Sequence, residues 1–438
     1  MLQAVINAFK IPDLRRKILF TLAMLVIFRF IASVPLPNVD RAGLQDYVAD
    51  NQLLSMLNVF SGSALANFSI AALGVYPYIT ASIIMQLMTP IVPRLNELSQ
   101  EGEQGRNKIN KYTHYLTIPL ALLQGYGQAL LFSRQPSPNG GTLVEGFGLF
   151  SSATFLPTLA ILASMVAGTM VLVWMGELIT EMGIGNGISI IIFGGIIASM
   201  PGAVRTLVSG ASLGTNVIGT LVFLAIGLVT IVGIVKINEG QRRIPVQYAK
   251  RIRSGQVYGG STTHIPLKVN SAGMIPLIFA VSIMVFPGLI ANFLSASNTE
   301  WVRNLATELT VWLSPLSLPY NILFFLMVVG FTFFYTMVVF QQQRIPESLQ
   351  RQGAFIPGVR PGRNTAGFLQ RVLSRITIVG ALFLGTVAVL PAIAAWITGV
   401  DTLLLGSTSL LIVVGVAIDT MRQLEAQLMM RNYEGFIN

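Results

Sequence analysis

Residues 319–340 read PYNILFFLMVVGFTFFYTMVVF, 22 residues without one charged side chain. Crossing a bilayer's hydrocarbon core takes about 20 apolar residues at 1.5 Å of helix each, so this run spans a membrane unaided. Similar runs lie near 18–37, 71–92, 112–132, 154–175, 184–201, 215–235, 272–293, 375–398 and 402–421. They predict an all-α integral membrane protein of about ten transmembrane helices. Composition agrees: 53% of the 438 residues are hydrophobic and 11% charged, against about 25% charged in soluble domains. So few charges cannot coat a water-facing surface. No small-residue cleavage site follows the basic segment Met1 to Lys17 and the first run, which therefore reads as a retained span.

Orientation follows from lysine and arginine in the connections. The N-terminal segment, the loops after spans two, six and eight, and the C-terminal tail hold 23 of the 28 basic residues. The opposite side holds only Arg41, Arg134, Arg205 and Arg303, and Arg29 falls inside span one. Both termini are expected in the cytoplasm. Ten spans divide into halves 1–210 and 211–438; if the halves are related, an odd number per half makes the second inverted, an expectation that rests on topology and not on sequence identity between them. Inverted repeats place a permeation route at their interface.

The chemistry that would power transport is missing. Gly-Lys never occurs, so there is no Walker A loop. Gly183-Ile184-Gly185-Asn186-Gly187 lies between apolar spans with no preceding strand, and its glycines read as a tight helix-to-helix turn. Glu177, Glu181 and Asp419 fall near cytoplasmic span ends, while Arg29 is a mid-span charge suited to pairing with a neighbouring carbonyl. With no cysteine, disulfides, thiolate metal sites and a cysteine nucleophile are excluded. His114 and His264 read as solvated loop histidines, so no metal, cofactor or catalytic set is expected and the chain is read as no enzyme. What remains is a conduit driven from elsewhere, with a secondary solute transporter and a lipid-handling scaffold as the competing classes.

Two features resist a plain ten-helix reading. Leu53 to Phe60, LLSMLNVF, is too short to cross; on its residues alone it is an interfacial helix or a re-entrant piece, the first favoured. The cytoplasmic loops near 236–271 and 341–374 are long, basic and rich in Gly and Pro, where a connector needs only a few residues. Gln241-Arg242-Arg243-Ile244-Pro245 and Gln342-Gln343-Arg344-Ile345-Pro346 read as matching helix ends, arginine facing the negative end of the dipole and proline stopping the helix. Lys250, Arg251, Arg253 and Lys268 in the first loop, with Arg351, Arg360 and Arg363 in the second, point to a large anionic partner, protein or RNA, besides anionic lipid headgroups.

Four segments carry a resemblance: Val75-Tyr76-Pro77-Tyr78-Ile79-Thr80-Ala81-Ser82-Ile83-Ile84-Met85-Gln86-Leu87, Trp174 to Ser189, Thr263 to Asn270, and Gly353 to Gly362. Long, ordered and spread along the chain, they resemble the SecY/Sec61-alpha family of protein-export channels. The resemblance implies two five-helix halves opening like a clamshell, with a lateral gate between spans two and seven. It implies an aliphatic pore ring at Val75, Ile79, Ile188, Ile192, Ile278 and Ile412, Val75 standing where isoleucine is usual and loosening the waist slightly. It recasts Leu53, Leu54, Met56, Leu57, Val59 and Phe60 as a plug helix, against the interfacial preference. Thr80, Asn186 and Asn270 match a polar gate cluster, and Arg360, with Arg243, Lys250, Arg251, Arg253 and Arg351, a docking surface. The implied partners are SecE and SecG subunits, the SecA ATPase, the ribosome, signal peptides and nascent polypeptides, in a bacterial plasma membrane.

The charge asymmetry makes a direct prediction. A cysteine replacing Arg251 is expected to react with a membrane-impermeant thiol reagent only from the cytoplasm, and one replacing Arg303 only from outside. The reverse labelling pattern would overturn the orientation.

Overall fold

The computed structural model describes residues 9–51, 54–55, 57–58, 61–137, 141–148, 152–212, 217–248, 251–253, 256–258, 262–295, 299–398 and 404–434. The helices in chain order are α1 (Pro12–Ser33), α2 (Arg41–Asp50), α3 (Tyr76–Met88), α4 (Pro93–Gln100), α5 (Glu103–Ser133), α6 (Ser152–Met182) and α7 (Gly187–Ser212). They continue with α8 (Val217–Glu239), α9 (Ile275–Ser295), α10 (Glu300–Trp312), α11 (Leu318–Gln343), α12 (Ile345–Arg351), α13 (Arg363–Thr398) and α14 (Leu404–Glu434). Each of the ten apolar runs has its helix: α1, α3, α5 to α9, α11, α13 and α14. Among the described residues, Thr154–Met182, Leu318–Arg351 and Arg363–Ile397 are long and apolar enough to cross a membrane on length and composition alone. Others mix span and surface. α1 opens with Asp13, Arg15, Arg16 and Lys17, and α5 carries Arg106, Lys108 and Lys111 in its first turns.

α3 departs most from the expected run. Its 13 residues give about 20 Å of helix, short of the roughly 30 Å hydrocarbon core. It starts at Tyr76 because Pro77 suits a first turn, where no N–H is needed. The apolar stretch before it, 61–75, runs in turns, with Leu65, Phe68 and Ala71 fully buried. Irregular backbone at membrane depth is tolerated only inside protein, where its polar groups find partners. Here Ile70 N–H donates to the Val34 carbonyl (3.1 Å), Leu36 N–H to that of Phe68 (2.9 Å), and Ala66 N–H to Asn58 Oδ1 (2.8 Å). The Arg29 guanidinium donates to the Gly62 carbonyl (2.5 Å). The charge read as mid-span lies one turn from the end of α1 and braces this buried segment.

The helices pack as two bundles with matching internal neighbours. In the first, α3 packs on α5, α5 on α6, α6 on α7, and α1 on both α6 and α7. In the second, α9 packs on α11, α11 on α13, α13 on α14, and α8 on both α13 and α14. Advancing each span by five converts one set into the other, as a repeat requires. The bundles meet along two seams: α3 and α5 against α9, and α7 against α8 and α14. The turn from α6 to α7 is tight. Gly185 takes φ +85°, and a Cβ on Gly187 would lie 1.8 Å from the Gly176 carbonyl oxygen.

The two long basic loops contain strands where the sequence suggested only irregular chain. β1 (Gln241–Tyr248) pairs antiparallel with β4 (Thr262–Lys268), Ile244 opposite Ile265, and with β5 (Ala354–Phe355) of the other loop. β2 (Arg251–Arg253) pairs with β3 (Gln256–Tyr258) between them. The two loops thus share a small core of Ile244, Val246, Leu267, Leu349, Ile356 and Leu369. This corrects the matched-helix-end reading. α8 stops at Glu239, and Gln241 to Pro245 are strand, because Ile244 and Val246 alternate with exposed residues at period two. Arg344 is a helix end, in the left-handed conformation (φ +44°), but Ile345 and Pro346 start α12 instead of ending the helical course.

Candidate functional site

Where the α3–α9 seam meets α7, the structure encloses a cavity of about 30 Å³, room for about one water molecule. Val75, Ile79, Ile192 and Ile278 line it together, with Leu57 beside them. Each element supplies a residue for a local reason. Val75 caps α3, and Ile79 follows one turn later on its buried face. Ile192 and Ile278 are buried on α7 and α9, at 2% and 8% exposure. Of the other two expected ring residues, Ile412 is fully buried in the same apolar core and half-buried Ile188 packs against it; neither lines the cavity. Ser61, Gln128 and Ser282 are the polar exceptions in the lining.

Of the expected plug residues, Leu54 and Leu57 are buried, and Leu57 faces the cavity. Leu53, Met56, Val59 and Phe60 lie outside the described residues. Leu54 and Leu57 thus lie inside the protein, where the interfacial preference had placed the segment on a membrane interface.

The three expected gate polars are not hydrogen-bonded to one another among the described residues. Thr80 Oγ donates to the Tyr76 carbonyl (3.1 Å), as serine and threonine do within helices. Asn186 Oδ1 accepts from Ser189 N–H (3.2 Å), capping α7. Asn270 Nδ2 donates to Asn238 Oδ1 (2.7 Å) and to the Gly273 carbonyl (3.1 Å), and Arg422 donates to the Asn238 carbonyl. That knot joins the end of α8, the approach to α9, and α14.

The seam is held by a residue that the sequence reading passed over. The Tyr76 hydroxyl donates to the Ser282 carbonyl, among the described residues the only hydrogen bond between α3 and α9. A tyrosine at the head of an apolar run, whose buried hydroxyl needs a partner, was the available signal. His114 is a second correction. It is partly buried on α5, its Nε2 2.9 Å from Glu177 Oε1 on α6, its ring against Tyr78. The Glu177 carboxylate on the neighbouring helix α6 is its partner, whereas His264 is exposed on β4.

On the unit formed by the two long loops Arg243, Arg351 and Arg360 are exposed. Arg351 lies 3.8 Å from Glu347, and the Arg360 carbonyl accepts from Thr365 Oγ (2.9 Å). Arg251 and Arg253 belong to β2, and Lys250 lies outside the described residues. Among the described residues no three His, Asp or Glu side chains gather to hold a metal ion.

A family model described as SecY matches residues 69–421. The chain is similar to the protein translocase subunit SecY of Streptomyces galbus, 43% identical over 442 residues and covering all of both chains. The same subunit of Mycobacterium tuberculosis H37Rv is 42% identical over 456 residues, again covering all of both chains. Its fold is similar to the structure of a protein conducting channel (TM-score 0.63, 17% identity, 96% of each chain). It is also similar to Sec61 in the canine ribosome–channel complex (TM-score 0.61, 16% identity, 96% of each chain).

Val75, Ile79, Ile192 and Ile278 offer water no hydrogen bonds, so the part of the cavity they wall resists wetting, unlike the side near Ser61, Gln128 and Ser282. Asparagine at Ile192 and Ile278 together is expected to wet it and to let small ions leak across liposomes holding the reconstituted protein. Leucine at both positions should keep the membrane tight. A double asparagine variant as tight as the parent chain would show that these side chains form no seal.

Proposed function

We infer the function of this chain from one premise: it belongs to the SecY family. It is the channel subunit of a protein translocase and a multi-pass membrane protein. We propose that unfolded polypeptide passes between the two helix bundles, through the constriction at Val75, Ile79, Ile192 and Ile278, with Ile188 and Ile412 joining the ring as the bundles move. The observation that carries this reading is the placement of one small aliphatic cavity on the seam between bundles. Aliphatic side chains make no directional bonds, so they stop ions at rest yet yield to any passing side chain.

In this reading the segment holding Leu54 and Leu57 is the plug under the constriction, and α3 and α9 are the two lips of a lateral gate. The signal sequence of a substrate carries an apolar core of 7–15 residues. Lodged between α3 and α9, it replaces the seam's apolar contacts with its own and gains about 25 cal/mol for each Å² moved from water to lipid. The family supplies the partners: SecE-like and SecG-like subunits beside the bundles, and SecA or a ribosome on the cytoplasmic unit, where Arg243, Arg351 and Arg360 are exposed. The basic residues then face the cytoplasm of a bacterial plasma membrane, and energy comes from those partners.

Reversible cross-linking tests the gate. Cysteine pairs drawn from 76–88 and 274–290 that form a disulfide efficiently are expected to block precursor export until the bond is reduced. Export unaffected by every efficiently formed link would place the gate elsewhere.

A further inference from the structure

α11 and α13 run antiparallel and touch closely in the outer half of the bundle, where a Cβ on Gly385 would lie 2.8 Å from the Phe325 ring. Toward the α12 end a furrow opens between them. The space between their cytoplasmic ends, closed off by α12, is a furrow of about 410 Å³, within the roughly 300–1,000 Å³ usual for small-ligand sites.

The chemistry of the furrow changes along its length. Phe333, Met337, Phe340 and Leu373 line its inner part, and Arg344 and Arg363 stand at its mouth. Leu326, Gly330, Phe333, Met337, Gln341 and Arg344 recur every three or four residues, so the face of α11 that lines the furrow from Arg344 to Phe333 continues beyond it through Gly330 and Leu326. A Cβ on Gly330 would meet nothing within 4 Å, and Leu326 is 58% exposed. On α13, Gln370, Ser374, Ile378 and Leu382 form the facing stripe, the last two exposed. The furrow therefore opens sideways onto the apolar surface that the helices present to lipid.

Charge selects the ligand further. Glu347 also lines the mouth, but it lies 3.9 Å from Arg344 and 3.8 Å from Arg351, which offset it. Arg363 has no carboxylate within ion-pair distance among the described residues. Two lining arginines against one glutamate, itself also paired with Arg351 outside the lining, leave the mouth positive at the level where lipid headgroups lie. A soluble anion would make no use of the apolar inner wall. A protein helix, about 10 Å across, would fit little more than one turn into this volume, whereas an acyl chain is slimmer.

We propose that the furrow between α11 and α13 binds one anionic phospholipid, its phosphate held by Arg344 and Arg363 and one acyl chain lying along Phe333, Met337 and Phe340. The guanidinium fork suits phosphate oxygens, and the apolar wall suits the chain.

Photolabelling of the purified complex in bilayers tests this, with phosphatidylglycerol and phosphatidylcholine carrying the same photoreactive acyl chain. Phosphatidylglycerol is expected to label the peptides holding Phe333 to Phe340 and Gln370 to Thr377 several-fold more strongly than phosphatidylcholine. Arg344→Gln with Arg363→Gln is expected to bring that labelling down to the phosphatidylcholine level while other lipid-facing peptides label as before. Equal labelling of the furrow by the two lipids in the unaltered chain would overturn the proposal, and this arm needs no variant. So would an anionic preference that survives in the folded double variant, or label on the furrow falling to a protein segment seated there.

Discussion

Tyr76 donates its hydroxyl proton to the Ser282 carbonyl across the α3–α9 seam, beside a cavity walled by Val75, Ile79, Ile192 and Ile278. The lining there mixes those aliphatic side chains with Ser61, Gln128 and Ser282, and no other hydrogen bond joins α3 to α9 among the described residues. A neutral hydrogen bond contributes about 0.5–1.5 kcal/mol net, and apolar contacts between helices can be exchanged for contacts with another apolar segment at little cost. The seam is thus closed but weakly specified. The opposite seam is different in kind, because there α7 meets both α8 and α14 and the chain itself passes from one bundle to the other. One edge tethered and one edge held by replaceable contacts is what a structure that opens sideways requires.

The second constraint is the backbone between Ser61 and Val75. Its turns lie at membrane depth, where each unpaired polar group would cost several kcal/mol, so the surrounding helices must supply partners. They do: α1 contributes Arg29 to the Gly62 carbonyl, and the strand-like exit from α1 exchanges bonds with Phe68 and Ile70. This arrangement shortens α3 and sets Val75 at its head, which puts the first aliphatic side chain of the cavity one turn before Ile79. The waist is positioned by the way its neighbour avoids being a helix.

The ten-span architecture was legible because hydrophobic run length reports directly on membrane crossing. The tight α6–α7 turn was legible in Gly183 to Gly187, because few residues other than glycine adopt φ +85°. What composition could not reveal was pairing across long sequence distances. His114 and Glu177 lie 63 positions apart and meet only because α5 packs on α6. The strands at 241–248 were obscured because proline and arginine after a long helix read as a stop signal, when the period-two burial of Ile244 and Val246 was the stronger cue. Tyr76 was hidden inside a run judged only for its hydrophobicity. For the cavity, residue types alone marked aliphatic side chains as core. It took the family resemblance to select six of them, and the geometry to bring four of those six to one space.

The central claim is that polypeptide travels through that space. The most direct measurement is photo-cross-linking from a benzoylphenylalanine placed at Ile278, in the assembled translocase, to a precursor stalled midway through export. A strong adduct is expected from Ile278, a comparable one from Ile192, and none from Leu326 on the outer face of α11. Capture from Leu326 without capture from Ile278 or Ile192 would contradict it.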